Sequence, residues 1–152
     1  FYSFTIDKGA LAGVALRDPV ISPEGLVGVI SEVGYNWAKV TTILDVEVNV
    51  GAYDIRTRDI GLITGDISLA AQGRCKLTYL PRESSATAGD LVVTNGGGLF
   101  PKDLVVGEIV NVAFDKGEIS LFAEVQPAAD IQTLTDVMVI KSFYGQEEND
   151  DE

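Results

Sequence analysis

The sequence contains no histidine at all. Without an imidazole, the chain cannot build Ser-His-Asp or Cys-His catalytic groups or bind zinc through histidine. Cysteine is almost as scarce, because Cys75 stands alone and cannot form an internal disulfide. Its neighbours Arg74 and Lys76 could lower a thiol pKa, but the setting is more typical of a strand residue than of a redox centre. No apolar run approaches the ~20 residues that span a bilayer.

Basic residues are also few. Lys and Arg number 11 against 23 Asp and Glu, which gives a net charge of −12. This balance repels a phosphate backbone, so we expect no nucleic-acid partner. Five of the acids fall within the last six residues, and we predict that residues 146–152 form a disordered acidic tail.

Motifs for other chemistry are missing too. No serine precedes a lysine by three residues, none lies in a G-x-S-x-G turn, and the tail lacks the residue order of a calcium loop. The glycine run at 96–98 leads into Leu99-Phe100-Pro101 and another strand, whereas a phosphate loop leads into a helix. We therefore predict no cofactor, no metal and no catalytic residue, and we interpret Gly96, Gly97, Gly98 and Pro101 as a structural turn.

What the sequence has in abundance is alternating, β-branched apolar runs bounded by Gly, Pro, Asp or Asn, which predict an all-β protein. They fall at 4–6, 26–33, 40–43, 46–50, 53–58, 91–94, 104–112 and 118–125. We expect at most one or two short helical turns, near residues 128–134, where Asp130 could cap.

An internal repeat refines this prediction. Residues 18–22 and 27–33 resemble residues 90–94 and 106–112, with Gly28 and Gly107 near the start of the second strand of each copy. A glycine there permits the sharp bend that closes a barrel. We predict two β-barrel subdomains of about six strands each, at 1–68 and 69–145, whose terminal strands are free to cross between them.

Two loops carry large apolar residues: Tyr35 and Trp37 in one, Leu99 and Phe100 in the other. Side chains of this kind at turns either fold back over a barrel mouth or are left for a partner. We take these four residues as candidates for partner binding.

Several stretches together resemble the extracytoplasmic region of the MreC family of rod shape-determining proteins. They are FTIDKG, PVI and GLVG at 4–28, YLPR at 79–82, GDLVVT, GGLFPK and VGE at 89–108, and VQPAAD and VMVI at 125–140. Their order and spacing over nearly the whole chain make the resemblance specific. Asn95 and Asp103 depart from the family, which tends to have serine and glycine there.

The resemblance implies a non-enzymatic scaffold of bacterial cell-wall elongation, outside the cytoplasmic membrane and anchored by an N-terminal helix that this sequence does not include. The partners it implies are penicillin-binding proteins, MreD and through it MreB, and further copies of the chain. Two alternatives stay open: a hydrolase on a chymotrypsin-like double barrel, and an adaptor of a secretion or efflux assembly.

Overall fold

The protein is described by a computed structural model at residues 2–97, 99–115, 117, 119–134 and 136–142. The predicted all-β class is confirmed, with one α-helix of a single turn, α1 (Ile67–Ala70), and a 3-10 turn at Ala10–Ala12 in the described part. The strands in chain order are β1 (Ser3–Ile6), β2 (Pro19–Ser22), β3 (Gly25–Val33), β4 (Ala38–Thr42), β5 (Asn49–Asp54), β6 (Ile60–Thr64), β7 (Cys75–Leu80), β8 (Leu91–Thr94), β9 (Val105–Phe114), β10 (Leu121–Pro127) and β11 (Met138–Val139).

The strands form two sheets. Six of them close into a barrel in the order β10-β7-β6-β5-β8-β9, and the other five form a sheet in the order β1-β4-β3-β2-β11. All pairings are antiparallel. The prediction of two closed barrels is thus corrected for one of the two. In place of that barrel, the described strands form an open sheet.

The strand order also bears on the predicted boundary between residues 68 and 69. This point lies between β6 and β7, which are hydrogen-bonded neighbours in the barrel. The chain changes from one sheet to the other earlier, between the end of β4 at Thr42 and the start of β5 at Asn49. One terminal strand does cross back, because β11 pairs with β2 in the first sheet.

The internal repeat is visible in the strand pairing. Val20 lies opposite Gly28 in the first copy and Val92 lies opposite Gly107 in the second, and in each copy a register shift follows directly. These irregularities increase the local bend of the sheet. Both copies therefore bend at the same place for the same reason.

The turn before each repeat is also duplicated. The Asp18 carboxylate accepts a hydrogen bond from the Ala15 N–H at 2.9 Å, and the Asp90 carboxylate accepts one from the Thr87 N–H at 3.1 Å. Both aspartates are buried. A buried carboxylate that satisfies a backbone donor fixes the entry of the chain into the strand.

The core consists of two clusters, a large one in the barrel and a small one under the open sheet. They are not independent. Leu26 belongs to β3 of the open sheet, yet its fully buried side chain packs in the barrel cluster. Ile131 packs against both clusters.

The helix prediction was wrong in position. Residues 128–134 form turns, in which the Asp130 carboxylate accepts from the Thr133 hydroxyl at 2.5 Å, but no helix. Helix α1 begins instead after Asp66, whose carboxylate accepts hydrogen bonds from the Ser68 and Leu69 N–H groups. A side-chain oxygen that accepts from the first free N–H groups of a helix stabilises its start.

Candidate functional site

Tyr35 and Trp37 lie in the turn between β3 and β4, and the 3-10 turn at Ala10–Ala12 packs beside them. The Leu11 N–H donates to the Tyr35 carbonyl at 2.9 Å, and the Ala10 N–H donates to the Gly34 carbonyl at 2.8 Å. These bonds bring three large apolar side chains to one end of the open sheet. Tyr35 is 78% exposed, Leu11 is 80% exposed and Trp37 is 41% exposed. We call Leu11, Tyr35 and Trp37 the apolar tip.

Glycine makes this arrangement possible. A Cβ atom on Gly9 would overlap the Gly34 carbonyl oxygen, and one on Gly34 would overlap the Trp37 ring. Only a residue without a side chain allows the two loops to approach this closely. The tip is thus positioned by backbone hydrogen bonds from both of its loops, which limits its freedom.

In the second loop, between β8 and β9, the two candidate residues differ in exposure. Leu99 is 46% exposed, whereas Phe100 is only 7% exposed and packs in the barrel core. Phe100 therefore folds back over the barrel, which was one of the two alternatives for this loop. As a surface that a partner could contact, the loop offers Leu99 and not the Phe100 ring.

Hydrogen bonds hold this loop in place. The Thr94 hydroxyl donates to the Pro101 carbonyl at 2.5 Å and accepts from the Leu104 N–H at 2.9 Å. Asp103 has a positive φ of 65°, the conformation that favours glycine, and accepts from the Tyr53 hydroxyl at 2.6 Å. This bond, first among several causes, raises the pKa of Tyr53.

The predicted turn glycines have different surroundings. Gly96 adopts a positive φ of 76°, Gly97 does not, and Gly98 lies outside the described residues. Gly28 and Gly107 are needed for space, because a Cβ on either would overlap a backbone carbonyl oxygen of the neighbouring strand, that of Thr41 or of Gln126. Pro101 supplies the carbonyl that the Thr94 hydroxyl binds.

Two further exposed aromatic residues of the barrel were missed from the sequence. Tyr79 in β7 and Phe114 in β9 are both exposed, and the Arg82 guanidinium lies 5.2 Å from the centre of the Phe114 ring. Tyr79 has a φ of 63°, which is rare for an aromatic residue. The stretch YLPR was noted only for its family resemblance, and nothing in it predicted the left-handed backbone.

A charged cluster of two buried aspartates, Asp54 and Asp90, and the exposed Arg56 supports the turn after β5. Arg56 donates to the Asp90 carboxylate at 2.7 and 3.0 Å and to the Ser85 carbonyl at 2.7 Å. This pairing, above all, lowers the pKa of Asp90. Asp54 is fully buried, and burial, then its contact with Asp90, raises its pKa. Its Oδ1 atom accepts from the Arg56 and Thr57 N–H groups.

The side chains of Asp54, Arg56 and Asp90 thus bond to the turns beside them, which is a structural role. Cys75 also has a structural role. Burial raises the pKa of the Cys75 thiol to about 12, so the nucleophilic thiolate is not formed near neutral pH. Within the described ranges, no three Cys, Asp or Glu side chains are grouped to hold a metal ion. No helix in that part of the chain is long and apolar enough to cross a membrane.

The fold and the exposed loops together define a class: a duplicated, barrel-forming all-β protein whose surface offers apolar contacts. The family model described as "Rod shape-determining protein MreC, barrel core" matches residues 1–141. The chain belongs to this MreC family.

Individual proteins named MreC are similar to this chain in sequence and in structure. The cell shape-determining protein MreC of Listeria monocytogenes is 35% identical over 143 residues, which are 90% of this chain and 47% of that relative. The chain thus spans about half of the length of this relative. A crystal structure of MreC from Pseudomonas aeruginosa superposes with a TM-score of 0.83 at 26% identity, covering 91% of this chain and 88% of that one.

A further solved structure is described as a complex between Penicillin-Binding Protein (PBP2) and MreC from Helicobacter pylori. It matches with a TM-score of 0.61 at 15% identity over 74% of this chain and 68% of that one, which shows a shared fold. The relatives are named as cell shape-determining proteins. None of these names describes a hydrolase or a secretion adaptor.

Proposed function

We propose that this chain is the β core of a non-enzymatic scaffold that controls rod cell shape by holding peptidoglycan-synthesis proteins together. The scaffold acts on the extracytoplasmic side of the bacterial cytoplasmic membrane, and a single membrane-spanning helix anchors the longer protein. Its partners are penicillin-binding proteins, MreD and through it MreB, and further copies of itself. The match of the family model over residues 1–141 is the observation that carries this proposal.

Two further observations support it. The Helicobacter pylori structure, by its description, pairs a protein of this fold with a penicillin-binding protein. In this chain the apolar tip and Leu99 expose large apolar side chains on loops that backbone and hydroxyl hydrogen bonds hold in place. Rigid exposed aromatic residues are typical of binding hot spots, because little conformational entropy is lost when a partner covers them.

Binding of the chain to the extracytoplasmic domain of a transpeptidase-type penicillin-binding protein from the same organism tests the proposal. We expect Tyr35→Ala to weaken binding by about 30-fold, the loss of a hot-spot residue worth roughly 2 kcal/mol. Ile67→Ala is the matched control, because Ile67 is 81% exposed but lies in α1, which packs beside β7 of the barrel and not at the end of the open sheet.

The possible results separate the site from the function. Unchanged binding by Tyr35→Ala and by Leu99→Ala would remove these loops as contacts and leave the scaffold in place. Failure of the unaltered chain to bind any such enzyme would contradict the proposed partnership itself.

A further inference from the structure

Among the described residues, the internal repeat leaves the open sheet one strand short of the barrel. β1 pairs with β4 as β7 pairs with β10, and β11 pairs with β2 as β5 pairs with β8. The correspondence extends to single bonds: the Ile140 N–H donates to the Pro19 carbonyl at 2.8 Å, and the Ile55 N–H donates to the Leu91 carbonyl at 3.0 Å. In the barrel, β6 joins β5 to β7. The open sheet has no strand at the corresponding place among the described residues.

A cleft of about 650 Å³ lies at that place. Its walls include Thr5 and Ile6 of β1 on one side and Val137 and Val139 around β11 on the other. By the repeat, Thr5 and Ile6 correspond to Lys76 and Leu77, which pair with β6 in the barrel. The cleft therefore has the walls between which the barrel holds its sixth strand.

The edge of β1 that faces this cleft carries backbone groups that do not bond to β4. Because the Thr42 N–H donates to the Tyr2 carbonyl, and antiparallel pairs alternate, Phe4 and Ile6 direct their backbone groups at β4. The backbone N–H and C=O of Thr5 then point away from β4 and towards the cleft. Unpaired groups on a sheet edge are a template for another strand.

The same reasoning applies to β11. The Ile140 N–H donates to the Pro19 carbonyl, so the next residue in the pattern, Val139, turns its backbone groups away from β2. Its counterpart Asp54 uses its N–H to bond the Asp59 carbonyl at 3.0 Å, at the hairpin between β5 and β6. Both edges of the cleft thus offer hydrogen bonds to one inserted strand.

The residues of this sequence that the repeat places opposite the cleft do not match β6. Continued along the sequence, the repeat assigns the place of β6 to residues 145–149, Gly-Gln-Glu-Glu-Asn, which lie outside the described part. They contain no large apolar side chain that could match the fully buried Ile63 of β6. A second copy is no better, because every described strand already pairs on at least one edge and the cleft needs a strand with two free edges.

We propose that the cleft between β1 and β11 binds an extended segment of a partner protein, which completes a six-stranded barrel in the manner of β6. This inference does not rest on the proposed function. The occupant is a short strand with a β-branched apolar residue at the position of Ile63, directed into the small core cluster. The cleft is lined by Asp7, Asp136, Lys8 and Lys141, whose charges cancel, so its lining favours neither sign of net charge on the segment despite the acidic body of the protein. Main-chain bonds supply the affinity and the apolar position supplies the selectivity.

The probe is a synthetic peptide with the β6 sequence Ile60–Thr64 between flanking lysines, added to the full chain. We expect saturable binding together with at least tenfold slower hydrogen exchange at the Thr5 and Val139 amides. The Phe4 amide, already bonded to β4, should not change. A peptide with Asp at the position of Ile63 should bind at least about tenfold more weakly, because it would bury a charge. A peptide N-methylated at the residues that face Thr5 should not bind, since it has lost its backbone donors.

Variants of the protein provide the matched controls. Thr5→Pro removes the N–H that faces the cleft and no bond to β4, so it should abolish peptide binding, whereas Thr5→Val should retain it. Absence of protection at millimolar peptide in the unaltered chain would overturn the proposal. So would protection that appears without peptide and increases with protein concentration, since that result would assign the cleft to a second copy. Equal binding of the N-methylated peptide would show that no strand is added.

Discussion

Phe100 and Tyr35 are both aromatic residues on loops, and their burial separates their roles. Phe100 packs in the barrel core, whereas Tyr35 projects from the apolar tip. We expect Phe100→Ala to lower the free energy of unfolding by about 3–5 kcal/mol, because it leaves a cavity. Tyr35→Ala should change it by no more than about 0.5 kcal/mol. Urea unfolding measures both, and equal losses would contradict this assignment.

Gly107 is a second residue whose role is purely steric. A Cβ atom at this position would overlap the backbone of β10, so Gly107→Ala must displace a strand of the closed barrel. We expect a loss of about 1–3 kcal/mol or more, the range typical of overpacking. Gly97→Ala is the control, because Gly97 has no positive φ and its Cβ would meet only the Asn95 side chain at 3.6 Å. A Gly107→Ala variant as stable as Gly97→Ala would contradict this, because it would show that β10 shifts without a loss of folding free energy.

Asp54 should make stability depend on pH. Because its pKa is raised in the folded state, the folded protein binds the proton more tightly, and stability falls as pH rises from about 4 through that raised pKa. Asp54→Asn keeps an oxygen for the Arg56 and Thr57 N–H groups and carries no charge. We expect this variant to be more stable than the unaltered protein at pH 7, with the advantage disappearing below pH ~4.

The pKa of Asp90 is shifted in the opposite direction to that of Asp54, so Asp90 serves as the comparison. Its lowered pKa means that its contribution is present above its unfolded pKa of about 4 and is lost as pH falls below that value. Asp90→Asn should therefore destabilise the protein most at neutral pH, since Arg56 loses its ion pair. Unfolding is measured from pH 3 to 8. Destabilisation by Asp54→Asn at pH 7 would contradict the assignment of Asp54, and stabilisation by Asp90→Asn at pH 7 would contradict that of Asp90.

At the scale of elements, alternation of apolar residues predicted most strands of the two sheets but not all of their limits. The apolar run at 53–58 continues past the end of β5 into a turn, where Arg58 adopts a positive φ of 68°. The run at 46–50 is largely a turn as well, and β11 has only two residues. Such limits depend on hydrogen bonds to distant strands, which local sequence does not encode.

The repeat was the more informative pattern, because a duplicated sequence folds into duplicated pairings. It predicted the equivalence of Gly28 and Gly107, but it could not show that β6 of the barrel has no counterpart among the described strands of the open sheet. The candidate partner contacts were also predictable only in part. Tyr35 and Trp37 were predictable as turn aromatics, while the burial of Phe100 and the exposure of Tyr79 depend on how the barrel closes.

For the molecule as a whole, the two sheets differ in how the chain builds them. The barrel uses one continuous stretch, from β5 to β10, whereas the open sheet combines β1–β4 with β11 from beyond the barrel. The open sheet can therefore be completed only after the barrel region has been traversed. Leu26 links the two further, since it comes from the open sheet and packs in the barrel core.

This link predicts that both sheets unfold together. Trp37, the only tryptophan, reports on the open sheet by fluorescence, and far-ultraviolet circular dichroism reports on all strands. We expect the two urea transitions to coincide, as in a two-state domain. Leu26→Ala should lower the stability by about 2–5 kcal/mol by both probes, while Leu11→Ala, at a leucine that is 80% exposed, should change it by no more than about 0.5 kcal/mol. A Trp37 transition at lower urea than the circular dichroism change would contradict this, because it would mean that the open sheet melts from an intact barrel.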